Sequence, residues 1–167
     1  KSHNHTNHSS DNTMQNLTKQ HITSLLKPRE SDSHKGIYGH ALLIAGNKYK
    51  MGASVIAARA CLRAGVGLLT VSIPEEVRFI LQTAIPEAML HARENEVNNI
   101  NDFSAIGIGS GIGISKNETE LVQQVISTCN KPLLLDADAL NILAADISLI
   151  SLLKPNTVTL SGARFLA

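Results

Sequence analysis

The sequence predicts an α/β fold in which a parallel β-sheet carries helices on its faces. Short apolar runs alternate along the chain with segments whose apolar residues recur at helical spacing, and this alternation is typical of βαβ units. The predicted strands are apolar almost throughout, as strands buried on both faces are. The chain has 167 residues, of which 43% are hydrophobic, enough for one domain with a packed core.

The N-terminal residues are predicted to lie outside this core. Residues 1–13 are polar and contain three histidines, so we expect a disordered tail or an expression remnant; a metal-binding tract is the alternative. Residues 14–33 follow as a helix and lead-in, with Met14 as a candidate natural start. The helix is predicted from the spacing of Leu17, His21, Ile22, Leu25 and Leu26, and Pro28 ends it.

The α/β domain is assigned to residues 34–167. The strands are predicted from apolar runs at Ala41–Ala45, Leu68–Ile73, Ala105–Ile108, Leu133–Leu135 and Thr157–Leu160. The first helix, Ala53–Ala64, is followed by Gly65, as helix ends often are. Its face of small residues would let it approach the sheet closely. That face consists of Ala53, Ala57, Ala60 and Ala64.

Three further helices are predicted after the first. One begins at Pro74 and has an apolar stripe of Val77, Ile80 and Leu81. The next has capping-box spacing at Ser115–Glu118. It presents to the core Leu121, Val122, Val125, Ile126 and Cys129. In the last, Asp138 caps a short helix that runs through Ala144.

Composition excludes several functional classes. The net charge is +1 and aromatic residues make up 3% of the chain, which argues against a nucleic-acid partner. No apolar run approaches the length of a membrane span. Cys61 and Cys129 both fall in predicted helices, which favours a reduced, cytoplasmic setting over a disulfide framework.

Ligands of parallel sheets bind beyond the carboxyl ends of the strands, and the loop after the first strand is a candidate. Gly46 and Gly52 lack a Cβ and allow close backbone approach. N–H groups around Ala53 and Ser54 could bind an anion such as pyrophosphate, with Lys48 nearby. The loop lacks the ending of a Walker A motif, and an ordinary strand–helix connection is the alternative.

Two more strand ends carry candidate residues. The run "GIGSGIG", Gly107–Gly113, either allows close backbone approach to a phosphate or ribose or forms a flexible turn. In "LLLDADALN", Asp136 is predicted to face the site, where it could orient a hydroxyl or a Mg²⁺ shell, while Asp138 is interpreted as the helix cap. His34 and His40 are expected to be structural.

Four segments in this order resemble the ATP- or ADP-dependent NAD(P)H-hydrate dehydratases, which belong to the ribokinase-like superfamily. They are "HKGIYGHALLIAGNKYKMGASVIAARACLRAGVGLLTV", "IPEAM", "AIGIGSGIG" and "PLLLDADALNIL". The resemblance implies a ribokinase-like three-layer fold and a lyase that restores hydrated NADH or NADPH. In this reaction a nucleoside phosphate, ADP or ATP with Mg²⁺, would activate the added hydroxyl for elimination.

The resemblance also assigns residues. The family's hydrate-binding positions correspond to Ala53 and Gly111, and both suit backbone contact with a dinucleotide. Gly46, Gly109 and Asp136 are weaker candidates for the same substrate. No catalytic residue and no metal ligand is assigned in this chain.

The chain departs from the family pattern near its end. On the resemblance, Ser161 stands where the family has His and Arg164 where it has Glu. The G-x-G-D segment that carries the family's base does not occur. We therefore expect a domain truncated after about half its length and inactive alone. It would have uncovered apolar surfaces and a possible tendency to form homo-oligomers.

Two alternatives remain open at this point. One is a ribokinase-like kinase of a small-molecule alcohol. The other is a non-catalytic remnant that binds a dinucleotide without chemistry.

Overall fold

The computed structural model describes residues 18–25, 32, 34–93 and 99–160. Contacts divide the chain into Lys1–Ser33 and His34–Ala167. In the first unit the predicted helix is present as α1, Lys19–Leu25. The tail at residues 1–13 and the positions Ser161 and Arg164 lie outside the described residues.

The second unit contains a six-stranded sheet in which every strand pair is parallel. The strand order is β3-β2-β1-β4-β5-β6. The bounds are β1 His40–Ile44, β2 Leu68–Ile73, β3 Met89–Ala92, β4 Ala105–Ile108, β5 Leu133–Asp136 and β6 Thr157–Leu160. All five predicted strands are confirmed to within a residue at each end, and β3 was not predicted.

Helices connect these strands and lie on both faces of the sheet. They are α2 Met51–Arg63, α3 Arg78–Ala84, α4 Lys116–Thr128 and α5 Asp138–Ala145. Short 3₁₀ turns lie at Lys35–Tyr38, Glu75–Val77, Ile100–Asp102 and Ile147–Leu152. The helix predicted from Pro74 is therefore a 3₁₀ turn followed by α3. Its predicted apolar stripe is confirmed at Leu81, which is buried, and is wrong at Ile80, which is exposed.

Alternating strand residues feed two separate cores, because successive side chains of a strand point to opposite faces. Leu42 and Ile44 belong to the core under α4 and α5, whereas Leu69 and Val71 pack under α2 and α3. The prediction for α4 is confirmed, since its four apolar helix residues and Cys129 are all buried. Ser115 is the N-cap, but its hydroxyl donates to the Glu118 carboxylate instead of accepting a backbone N–H.

The small-residue face of α2 does not pack closely against the sheet, so that prediction is wrong. The helix turns a different stripe inward, formed by Met51, Val55, Ala58 and Leu62. Met51, Val55 and Leu62 bury more apolar surface than alanines can, which explains the orientation. Ala60 and Ala64 are left exposed.

One half of a sheet face is uncovered by the described helices. Leu43, Gly107, Leu134 and Val158 pair in register across β1, β4, β5 and β6 and form one row on the α2 side of the sheet. Val158 is 57% exposed. A groove of about 720 Å³ lies between α2 and the first three residues of this row, Leu43, Gly107 and Leu134. The expected uncovered apolar surface is therefore present.

Candidate functional site

Three strand-end loops meet at the carboxyl edge of the sheet and are joined by a chain of hydrogen bonds. The Gly46 N–H donates to the Ser110 carbonyl oxygen at 2.8 Å. The Ser110 hydroxyl donates to Asp136 Oδ2 at 3.0 Å. The predicted first, second and third loops are thus one connected site, which agrees with the topological rule for parallel sheets.

The two positions assigned by resemblance lie next to each other. A Cβ placed on Gly111 would lie 2.7 Å from Ala53 Cβ and 3.2 Å from Lys50 Cβ. Gly111 also has a φ of +72°, which favours glycine. The Ala53 side chain therefore packs closely against the backbone of Gly111, between the first turn of α2 and the β4–α4 loop.

The weaker glycine candidates have packing roles of their own. A Cβ on Gly109 would lie 1.8 Å from the Asp136 carbonyl oxygen, and the φ of Gly109 is +131°. A Cβ on Gly46 would lie 3.0 Å from Ser54 Oγ. At both positions the space next to the glycine is filled by the chain itself, so close packing explains these glycines without a ligand.

The predicted anion site at the start of α2 is wrong in its choice of Ala53 and Ser54 as donors. The helix begins at Met51, two residues earlier than expected. The Ala53 N–H donates to the Lys50 carbonyl oxygen at 3.1 Å. Ser54 is fully buried, and its hydroxyl donates to the Met51 carbonyl oxygen at 2.7 Å. Neither residue presents an open donor to an anion.

Asp138 is not the helix cap that the sequence suggested. Ala137 occupies the N-cap position with φ 45° and ψ −113°, and Asp138 is the first residue of α5, where its Oδ1 accepts a hydrogen bond from Asn141 Nδ2 at 3.4 Å. Asp138 Oδ2 accepts the Gly113 N–H at 2.9 Å and forms an ion pair with Lys50 at 3.2 Å. The carboxylate therefore fastens all three strand-end loops together.

Arg93 is a site residue that the sequence interpretation missed. It directly follows β3, and its Nη2 donates to the Gly46 carbonyl oxygen at 2.6 Å. Its Nη1 is buried and has no hydrogen-bond partner. Burial lowers the pKa of the guanidinium, while Glu118 and Glu76 act in the opposite direction. The only sequence signal was a lone cation after an apolar segment, too weak without the strand order.

Two cavities border the connected loops. Ala53, Gly109, Gly111 and Asp136 line one end of the 720 Å³ groove, so four of the five predicted substrate residues share a cavity wall. Gly46 is not in that wall. A second cavity of about 530 Å³ is lined by polar residues that include Asn47, Lys48, Arg93 and Glu118.

His40 has the structural role that was predicted. Its Nε2 lies 2.8 Å from Thr70 Oγ1, and its ring packs edge-on against Phe103 at 4.7 Å. Among residues 18–25, 34–93 and 99–160, no three His, Cys, Asp or Glu side chains cluster as metal ligands. No helix in the described part of the chain is both long enough and apolar enough to span a bilayer.

Comparison with known proteins gives one consistent result. Residues 41–159 match the family model described as NAD(P)H-hydrate dehydratase. An ADP-dependent (S)-NAD(P)H-hydrate dehydratase from Listeria monocytogenes is 37% identical over 136 residues, covering 78% of this chain and 49% of the relative. A bifunctional NAD(P)H-hydrate repair enzyme from Coxiella burnetii is 40% identical over 74% of this chain, which spans 26% of that enzyme.

Solved structures agree with the sequence comparison. A ribokinase-like superfamily protein from Enterococcus faecalis aligns with a TM-score of 0.71 at 27% identity, over 77% of this chain and 47% of that protein. An ADP/ATP-dependent NAD(P)H-hydrate dehydratase from Bacillus subtilis, co-crystallised with ATP and Mg²⁺, aligns with a TM-score of 0.67 at 32% identity. That match covers 74% of this chain and 46% of the other. The chain thus spans about half the length of the ADP-dependent relatives.

Proposed function

Because this chain belongs to the NAD(P)H-hydrate dehydratase family, we propose that it provides the dinucleotide side of a site that dehydrates hydrated NADH or NADPH. The observation that supports this most directly is the convergence of Ala53, Gly109, Gly111 and Asp136 on one cavity wall. Substrate contact at Ala53 and Gly111 is the central part of the proposal. Contact at Gly46, Gly109 and Asp136 is the weaker part.

The proposed reaction uses a nucleoside phosphate as the co-substrate. The phosphoryl group passes to the hydroxyl on the hydrated nicotinamide ring, and the C–O bond then breaks with phosphate as the leaving group. Loss of a ring proton restores the double bond of NADH or NADPH. Several relatives are named as ADP-dependent enzymes, and one was co-crystallised with ATP and Mg²⁺. No metal ligand is assigned within the described residues of this chain.

The roles available to this chain are binding and positioning. The hydrogen-bond chain through Gly46, Ser110 and Asp136 fixes the backbone that would face the dinucleotide. Phosphoryl transfer depends on preorganised charge around the moving group. The proposal assigns those charges and the base to the half of the domain that this chain does not match. We therefore expect little or no turnover by the 167-residue chain alone.

Titration with NADH tests the binding part of the proposal. The chain has no Trp, so NADH fluorescence can be followed without background from energy transfer. We expect saturable binding that Gly111→Val weakens at least tenfold, because the added side chain fills the space beside Ala53. Thermal melting of the variant separates a lost contact from a lost fold, because the φ of +72° at Gly111 strains any side chain placed there. Absence of NADH and NADPH binding would contradict the proposal.

Turnover tests the catalytic part. NADH hydrate is incubated with nucleotide and Mg²⁺, and recovery of absorbance at the NADH wavelength is recorded. Full activity of the 167-residue chain would contradict the requirement for the other half. Binding without turnover, even when the other half is supplied, would favour the dinucleotide-binding remnant. Phosphorylation of a small alcohol without dinucleotide binding would favour the kinase.

Both cysteines are free, and the proposal places the protein in the cytoplasm.

A further inference from the structure

The polar cavity of about 530 Å³ contains side chains for which the proposed function gives no role. Its size is within the usual range for small-molecule sites. It lies where residues that follow β1, β2, β3 and β4 meet the start of α4. Unlike the apolar groove, it is lined by one aromatic ring, two cations and two carboxylates. These belong to Tyr49, Lys48, Arg93, Glu76 and Glu118.

Arg93 indicates that an anionic group binds in this cavity. Its Nη2 donates to the Gly46 carbonyl oxygen at 2.6 Å, which fixes the guanidinium against the β1–α2 loop. Its Nη1 is buried without a hydrogen-bond partner, and no described carboxylate forms an ion pair with it. A buried charged donor that lacks an acceptor is costly, and a phosphate oxygen is an acceptor that arginine binds well. Lys48 is exposed and adds a second positive charge to the wall.

Tyr49 provides an aromatic surface on the wall of the same cavity. The residue is 84% exposed and belongs to neither hydrophobic core. Its backbone N–H donates to Asn47 Oδ1 at 2.9 Å, and Asn47 Nδ2 donates to the Ile112 carbonyl oxygen at 3.3 Å. These bonds hold the backbone of Tyr49 beside the β4–α4 loop, where Ile114 adds exposed apolar surface. An exposed ring on a fixed backbone suits stacking of a nucleobase.

The carboxylates argue against a simple polyanion as the ligand. Two carboxylates and two cations leave the lining side chains without net charge. Glu118 is half-buried, and its Oε2 would lie 3.8 Å from a Cβ on Gly113. A carboxylate in this position can accept hydrogen bonds from ribose hydroxyls, as acidic residues do in dinucleotide-binding folds. The cavity therefore offers a ring for a base, carboxylates for a ribose and an arginine for a phosphate.

The position of the cavity connects it with the dinucleotide. Gly111 lines the groove and the next residue, Ile112, lines the polar cavity, so the two cavities flank one loop. A dinucleotide consists of two nucleotides joined through a pyrophosphate, and its two ends can occupy two neighbouring cavities. We propose that the polar cavity binds the adenosine phosphate end of the hydrated dinucleotide, while the nicotinamide end contacts Ala53 and Gly111. This inference rests on the proposed function and assigns residues to the other half of the substrate.

Competition between AMP and NADH tests the inference. AMP is the adenosine phosphate end alone, and its binding to the full 167-residue chain is measured by calorimetry. AMP is then added to the chain with NADH bound, while NADH fluorescence is followed. We expect AMP to bind and to displace NADH. Tyr49→Ser and Arg93→Met should each weaken AMP binding at least about fivefold, because they remove the stacking surface and the phosphate donor.

Reduced nicotinamide mononucleotide, the other half of NADH, is the control ligand, and Tyr49→Ser should leave its binding unchanged. Two matched variants change residues that do not line the cavity. Phe79→Ser removes a different aromatic ring that is 63% exposed, and Arg59→Met removes a different arginine that donates to a backbone carbonyl. Both variants should bind AMP and NADH as wild type does. Circular dichroism checks that every variant is folded.

The possible failures of the inference and of the proposed function differ. Absence of NADH binding contradicts the proposed function. NADH binding that AMP does not compete with overturns this inference alone, as does AMP binding that neither Tyr49→Ser nor Arg93→Met weakens. AMP binding that ADP displaces and NADH does not would assign the cavity to the nucleotide co-substrate, and it would also overturn the inference.

Discussion

Gly109→Ala should be among the most damaging single-methyl changes in the described structure. Gly109 lies between β4 and β5, and its N–H donates to the Ile44 carbonyl oxygen at 3.2 Å. A Cβ there would lie 1.8 Å from the Asp136 carbonyl oxygen and 2.9 Å from Ala139 Cβ. The first contact is with backbone, so no side-chain rotation can relieve it. The strands themselves must move apart.

The expected loss of stability has two parts. A positive φ costs an L residue roughly 1–2 kcal/mol, and an extra methyl in a packed site costs about 1–3 kcal/mol. The sum is roughly 2–5 kcal/mol, a large share of the 5–15 kcal/mol that holds a typical domain folded. For a domain of this size the melting temperature should fall by roughly 4–20 °C.

Thermal melting of Gly109→Ala, Gly52→Ala and wild type provides the measurement. Gly52 lies in α2, and its built Cβ meets nothing within 4 Å. Alanine there should stabilise the helix by about 0.5–1 kcal/mol. A Gly109→Ala protein that melts within about 2 °C of wild type, as a neutral surface substitution would, would refute this packing explanation. If that stable variant also lost NADH binding, Gly109 would be a ligand contact instead.

Four other substitutions test the contacts of the site and the burial of one thiol. Arg93→Met removes the donor to the Gly46 carbonyl. We expect the free energy of unfolding in urea to fall by about 1 kcal/mol and NADH binding to weaken. Unchanged NADH binding would show that Arg93 does not contribute to the site. Asp138→Ala should lower the free energy of unfolding by about 1–3 kcal/mol because the Gly113 N–H loses its acceptor. Lys50→Ala should lower it by less than about 1 kcal/mol, because the ion pair between Lys50 and Asp138 is half-exposed. Equal losses for the two variants would contradict this order. Burial raises the pKa of the Cys61 thiol above its ordinary value of 9.0. The folded state therefore favours the protonated thiol. The difference in unfolding free energy between wild type and Cys61→Ala should be constant below pH 9, and the wild type should lose stability relative to the variant as pH rises further. A difference in urea unfolding that stays constant up to pH 10.5 would contradict this prediction.

The strands were predictable because burial on both faces leaves a direct trace in composition. Leu68–Ile73 and Ala105–Ile108 match their predicted bounds residue for residue. β3 left little trace because none of its four residues is fully buried: Met89 and Ala92 are exposed, and Leu90 and His91 are only partly buried. Its sequence therefore needs no apolar run, whereas β6, the other edge strand, was predicted from Thr157–Leu160.

The site was predictable only as separate loops. Glycines and carboxylates after the strands could be read directly, but their partners depend on strand order. Arg93 reaches Gly46 because β3 lies two strands from β1, and nothing in the linear sequence gives that order. The role of Asp138 was missed for a similar reason, since its partners Gly113 and Lys50 lie on the loops after two other strands.

The glycines of this site show how far glycine-rich loops indicate a ligand. Gly46, Gly109 and Gly111 have positive φ, and the space beside each is filled by the protein's own atoms. Their immediate physical cause is therefore loop packing, and that packing would be needed in any protein with this loop geometry, whether or not it bound a dinucleotide. The feature that indicates a ligand is the product of this packing, a rigid edge where three loops are cross-linked beside an apolar groove. A substitution that keeps the fold but alters that edge, such as Arg93→Met, is consequently a sharper test of function than any glycine substitution.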